Sequence, residues 1–199
     1  MATATKQQPR RESSTQPFDF RNEAGASLDH NRITRNLSWL LWQFLKDNGN
    51  FESFTSDLPV FSAAKNGVYY PDLVVSCSPE YVVCDITRID EITDEIVVER
   101  EVKALTKPKL IVEVWSDSNN TRHKATKLEH YEQITSLDEY LTVEQSSLEI
   151  RRYLKTDAGK WKGPETINGE DASLTLDSFE LTLSFKDIYA RCRLLGEAE

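Results

Sequence analysis

The chain has 199 residues, enough for one domain with a sizeable core. Its 39% hydrophobic and 29% charged residues are ordinary for a globular chain, and no apolar run approaches the ~20 residues that a membrane-spanning helix needs. The net charge of -9, from 24 Lys and Arg against 33 Asp and Glu, argues against a broad basic surface, so any phosphate contact has to be local. Cys77, Cys84 and Cys192 are an odd set with no close Cys-x-x-Cys pair. That points away from a disulfide framework or a zinc site and toward a reduced cytoplasm. The first residues contain no apolar stretch of the kind a secretory signal carries.

In chain order, residues 1–16 are polar and aperiodic and are expected to be a disordered tail, with residues 17–195 as a single domain. From Ser27 onward, Ile33, Leu37, Leu40, Leu41 and Phe44 recur at helical spacing. Ser27 or Asp29 can cap this helix and Asn48-Gly49 ends it. Trp39 and Trp42 read as widening its apolar stripe toward a sheet or a second subunit. Residues 51–55, 58–61 and 72–76 predict short strands, with a turn at Asn66-Gly67. The charged, irregular span 85–103 predicts a loop or a hairpin insertion. Residues 110–115 predict a buried strand, 121–134 a helix, and 139–143 with 148–154 a hairpin that Gly159-Lys160-Trp161 extends. One or two short strands at 174–183 and a terminal helix at 185–194 complete the chain. Strands on both sides of a helix, with helices at both ends, give an α/β class. The sheet is expected to be mixed and flanked by helices, with an antiparallel C-terminal extension.

One side chain is out of place in this pattern. In Leu110-Ile111-Val112-Glu113-Val114-Trp115, alternation puts Leu110, Val112 and Val114 on one face and Ile111, Glu113 and Trp115 on the other. Both faces are apolar except for one carboxylate. An unpaired buried carboxylate costs several kcal/mol, so Glu113 needs a cation or a metal ion beside it. Asp72 follows Pro71 at the mouth of another apolar strand, where proline is tolerated. Lys124, Lys127 and Tyr131 share one stripe of the helix after Glu113. Two carboxylates can hold a divalent metal, and a nearby ammonium can orient or deprotonate a water.

In this order and spacing, the segments Gly25-Ala26-Ser27 with His30-Asn31, Tyr70-Pro71-Asp72-Leu73-Val74-Val75, Leu110 to Ser116, Lys127-x-x-x-Tyr131 and Ser136-Leu137-x-Glu139-Tyr140 form a pattern. It resembles the Uma-type restriction endonuclease family of the PD-(D/E)xK nuclease superfamily, over residues 24 to 190. The resemblance implies a restriction-endonuclease-like fold that hydrolyses DNA with Mg²⁺ or Mn²⁺, as a homodimer in the cytoplasm. By position, it makes Asp72 and Glu113 catalytic metal ligands and the carbonyl of Val114 a further ligand. Asp19, aligned with a family Glu before the first helix, becomes an outer ligand. The superfamily usually has a Lys two residues after the second acid, where this chain has Trp115; in the Uma-type branch the helix Lys takes over, and Lys127 matches it. The helix also departs from the family in carrying His123 where an Asp is common, and the region before the Gly-Ala-Ser segment is shorter than usual.

Each residue also has an ordinary reading. Asp72 can satisfy a turn, Glu113 can pair with a structural cation, and a helix Lys is usually solvated. Tyr131 reads as a packing residue that keeps Lys127 in place, and His30, His123 and His130 read first as structural. Trp39, Trp42, Trp115 and Trp161 read as core or interface. The rival function is a module that keeps the nuclease fold and binds nucleic acid or a protein without cutting. A phosphodiesterase acting on nucleotides or structured RNA is a third reading.

Overall fold

A computed structural model describes residues 11–12, 27–64, 66–89, 96–116 and 121–195. Arg11–Glu12 form a two-residue strand, β1, within the segment expected to be a tail; the other residues of that segment lie outside the described ones. The helix α1 (Leu28–Leu45) begins at Ser27, whose side chain accepts a hydrogen bond from the His30 N–H at 3.0 Å. An N-cap oxygen of this kind satisfies a helix-end donor that has no partner within the helix. His30, Ile33, Leu37, Leu41 and Leu45 make the buried face. Trp39 and Trp42 do not widen it. With 3.6 residues per turn they fall on the opposite side, 58% and 55% exposed.

The strands β2 (Phe51–Thr55), β3 (Val60–Ser62), β4 (Gly67–Tyr69) and β5 (Leu73–Cys77) follow. The charged span after them is the hairpin alternative: β6 (Tyr81–Ile89) and β7 (Ile96–Leu105) pair antiparallel along their length. Then come β8 (Pro108–Trp115), α2 (Thr121–Tyr131), β9 (Glu139–Glu144), β10 (Glu149–Lys155), β11 (Trp161–Asn168), β12 (Ser173–Leu176), β13 (Leu181–Ser184) and the short helix α3 (Phe185–Ile188). The predicted terminal helix stops early. Arg191 takes a left-handed backbone, φ 64°, which breaks helical geometry while Tyr189 and Cys192 stay buried.

One sheet runs β11-β10-β9-β8-β5-β2 and is mixed: β8 and β9 are parallel, and the other neighbours are antiparallel. A second sheet runs β1-β6-β7-β3-β4, and β12 with β13 make a separate hairpin. The Leu110, Val112 and Val114 face of β8 packs with α1, the β12–β13 hairpin and α3. The opposite face, carrying Ile111 and Trp115, packs with Tyr131, Leu128 and Ile134 of α2 and its following turn and with Val60, Tyr69 and Leu105 of the second sheet. The central strand is thus covered on both faces, as its apolar sequence requires. The expected mixed α/β fold with an antiparallel C-terminal side is the one observed.

Candidate active site

Sheet register brings the two expected acids together. The antiparallel β5–β8 ladder pairs Leu73 with Val112, and Asp72 and Glu113 are the next residues outward on each strand. Leu73 and Val112 point into the α1 core, so alternation turns Asp72 and Glu113 together to the α2 side.

Glu113 is 3% exposed and does not lack partners. Lys127 Nζ donates to both its oxygens, at 2.9 and 2.8 Å, and the Tyr131 hydroxyl donates to Oε1 at 2.8 Å. Lys127 and Tyr131 lie one turn apart on α2, so one helix face serves one carboxylate. The Glu113 pKa is nonetheless raised. Burial is the main cause and the charge of Asp72 adds to it, while Lys127 and Tyr131 pull the other way. Tyr131 was expected to hold Lys127. It holds the acid instead, and it is fully buried.

Asp72 is held by other elements. Its Oδ2 accepts the Val114 N–H at 2.7 Å, and its Oδ1 lies 3.0 Å from His30 Nε2. The Trp115 carbonyl accepts the Gln145 N–H on the β9 side. Alternation therefore turns the Val114 N–H and C=O to the other side of β8, where Asp72 lies. The His30 pKa is raised: burial lowers it, but the hydrogen bond and charge of Asp72, with Glu113 behind, outweigh burial. His30 was read first as structural, and its position on the buried face of α1, one turn before Ile33, was the available signal.

A ring system backs the site. Tyr69, Tyr131, Tyr140 and Tyr153 follow one another with centroids 5.3 to 5.6 Å apart. The Tyr69 hydroxyl shares a hydrogen bond with His130 Nδ1. Burial, with the charge of Glu129, pushes Tyr69 up to about 12. The buried Tyr140 hydroxyl has no partner among the described residues. Of the other singled-out residues, Trp115 is core, and Trp161 is half-buried with its indole N–H donating to the Glu132 carbonyl. Asp19 and the side chain of His123 lie outside the described residues.

Sequence reasoning passed over a second buried ion pair. Arg152 Nη2 lies 3.3 Å from Glu139 Oε1 and also bonds Asp177, while Arg152 Nη1 is 3.5 Å from Glu165.

Against known proteins, residues 21–186 match a family model, Uma2, described as "Putative restriction endonuclease". The uncharacterized protein sll1609 of Synechocystis sp. is 33% identical over 177 residues, covering 86% of this chain and 90% of that protein. A second Synechocystis protein, slr1290, is 30% identical over 161 residues, covering 81% of this chain and 73% of its own. The crystal structure of a "putative nuclease belonging to DUF820" from Anabaena variabilis superposes with a TM-score of 0.59 at 16% identity. It covers 83% of this chain and 82% of that one, and the likeness is one of fold.

Proposed function

The chain belongs to the Uma2 restriction endonuclease family, and on that premise we propose a metal-dependent endonuclease that hydrolyses DNA phosphodiester bonds, with Asp72, Glu113 and Lys127 at its centre. The observation that carries this reading is the convergence of two carboxylates and a lysine from β5, β8 and α2 at one end of the sheet.

The donors suit a hard divalent cation, Mg²⁺ or Mn²⁺. Asp72 and Glu113 are adjacent acids, and each would be relieved of the other's charge by a dication. The Val114 carbonyl faces the same side. Among the described residues no group of three or more His, Cys, Asp or Glu is arranged for ligation. Two carboxylates would leave most of an octahedral shell to water and phosphate, which is how such a cation is usually bound and is unlike a protein-caged zinc. When bound, such a cation supplies Lewis acidity and a water of lowered pKa.

The remaining work falls to the chain itself. The Val114 N–H and His30 hold Asp72 by its two oxygens, and Tyr131 holds Glu113. Lys127, 17% exposed at its side chain, can exchange one Glu113 oxygen for a phosphate oxygen or the attacking water. There it offsets charge that grows in the transition state. A duplex has two strands to cut, so we propose a homodimer as the cutting form. Asp19 is proposed as an outer ligand, and the cytoplasm as the compartment. Among the described residues no helix is long and apolar enough to cross a membrane.

The rival is a nuclease-fold module that binds without cutting. One observation favours it: both Glu113 oxygens are already satisfied by Lys127 and Tyr131. Supercoiled plasmid incubated with and without Mg²⁺ or Mn²⁺ separates the two. Metal-dependent nicking by wild type that disappears in both Lys127→Ala and Asp72→Ala is the expected result. Nicking that persists in both variants removes these residues from the reaction. Absence of nicking by wild type on plasmid, single strands and RNA leaves the binding module.

A further inference from the structure

Four of the five exposed large hydrophobic side chains among the described residues sit on α1 or at its start: Leu28, Trp39, Trp42 and Phe44. Helical spacing lines up Leu28, Asn31, Arg35, Trp39, Trp42 and Lys46 as one outward stripe. The stripe carries two indoles and two cations and no carboxylate, in a chain whose net charge is -9. The Lys46 ammonium stands 5.8 Å from the centroid of the Trp42 ring. Between this stripe and β2 with its following turn runs a groove of about 900 Å³. Ser38, Ser53 and Thr55 line it with hydroxyls, and Asp57 is its single carboxylate.

The groove begins at Asn31, next to the His30 that bonds Asp72. Trp39 and Trp42 lie nine and twelve residues beyond His30, about 14 to 18 Å along the α1 axis and on the outward side of the helix. That is the reach of a few nucleotides.

We propose that this groove binds an unpaired strand of nucleic acid, its bases stacked on Trp39 and Trp42 and its backbone led toward the Asp72–Glu113 centre. The proposal rests on the nuclease reading and adds a substrate class, namely DNA with a single-stranded segment such as a flap or splayed end. Indoles stack on base faces, which an intact duplex hides, and the cations and hydroxyls suit the phosphates and sugars. A second copy of the chain fits less well, because a two-fold contact would set Arg35 and Lys46 of each copy against like charges.

Fluorescence anisotropy in EDTA, where no cutting occurs, tests the groove with a labelled mixed-sequence single strand and the matching duplex. The single strand is expected to bind more tightly and to quench tryptophan emission. Trp39→Ala with Trp42→Ala is expected to weaken single-strand binding about tenfold or more, and the paired Trp→Phe changes to restore most of it. Both positions are exposed, and circular dichroism checks that the variants fold. Single-strand affinity unchanged in the double Ala variant overturns the proposal. So does the absence of single-strand binding by wild type, and so does a dimer on gel filtration that the double variant dissolves without any change in affinity. Cleavage with Mn²⁺ is scored beside binding. Indole-dependent binding by a wild type that cuts nothing sinks the nuclease reading and leaves the groove standing. Cutting with indole-independent binding does the reverse.

Discussion

Glu113 and Glu139 sit on adjacent strands of one sheet, both buried, both with a raised pKa whose main cause is burial, and both beside a cation. Their second neighbours differ. Glu139 receives the Asp177 N–H at 2.9 Å, and its cation, Arg152, is a guanidinium 8% exposed that also bonds Asp177. Glu113 receives a flexible ammonium, 17% exposed, and faces a second acid, Asp72. A fixed fork with several acids around it is a pin, here fastening the 3-10 turn Asp177–Phe179 after β12 to the sheet. A buried acid crowded by another acid and served by a mobile ammonium is suited to chemistry. Neither burial nor a neighbouring acid tells the two apart, since Asp177 raises Glu139 as Asp72 raises Glu113; the kind of cation and its exposure do.

The largest expected effect separates them by activity. Glu113→Gln should lower metal-dependent plasmid nicking about 10³-fold. Its urea midpoint should move little, because burial opposes the Glu113 charge while the amide leaves Lys127 one acceptor in place of two. A fall in stability with nicking intact would make Glu113 a pin as well. Arg152→Met should give the opposite pattern. Leaving Glu139 buried without its cation should cost about 3 kcal/mol of unfolding free energy, the low end for a broken buried pair because Asp177 and Glu165 are more than half exposed. Nicking per folded molecule should be unchanged.

The smallest effect is in pH. The Glu139 pKa lies above its ordinary 4.5 in the folded state, so protonation favours folding. That contribution is complete below 4.5 and is lost as pH rises through the folded value. The stability of wild type relative to Glu139→Gln should therefore rise as pH falls toward 4.5, read from urea midpoints across that window. A difference independent of pH would show that Glu139 titrates alike in both states.

Much of the site was legible because its signals are local. An acid inside an apolar strand and an acid after Pro71 both break a pattern, helical spacing put Lys124, Lys127 and Tyr131 on one stripe, and the resemblance singled out Lys127 among them. The Glu139–Arg152–Asp177 pin was not legible. In an alternating strand a Glu reads as solvent-facing, and nothing near it announces an arginine on the next strand or a turn 38 residues away. The β6–β7 hairpin was only half legible, since its charged residues hid a periodicity that becomes visible once each strand has the other to pair with. Trp39 and Trp42 were misjudged for another reason. Indoles count as apolar, but their angular position on the helix, opposite Ile33, Leu37 and Leu41, was already in the sequence.

The two apolar faces of β8 carry a consequence for how the strand finds its place. A strand greasy on both sides gains nearly as much from pairing one residue out of step as in step. Glu113 removes that ambiguity. Shifted by one, its carboxylate would enter the core against Leu37 and Leu41, with neither Lys127 nor Tyr131 to meet it. The residue proposed to serve the reaction thus also acts as a key that admits one alignment of the central strand. A variant that lost the acid for an aliphatic side chain would forfeit the chemistry proposed for it and, in the same stroke, the signal that tells the strand where to stop.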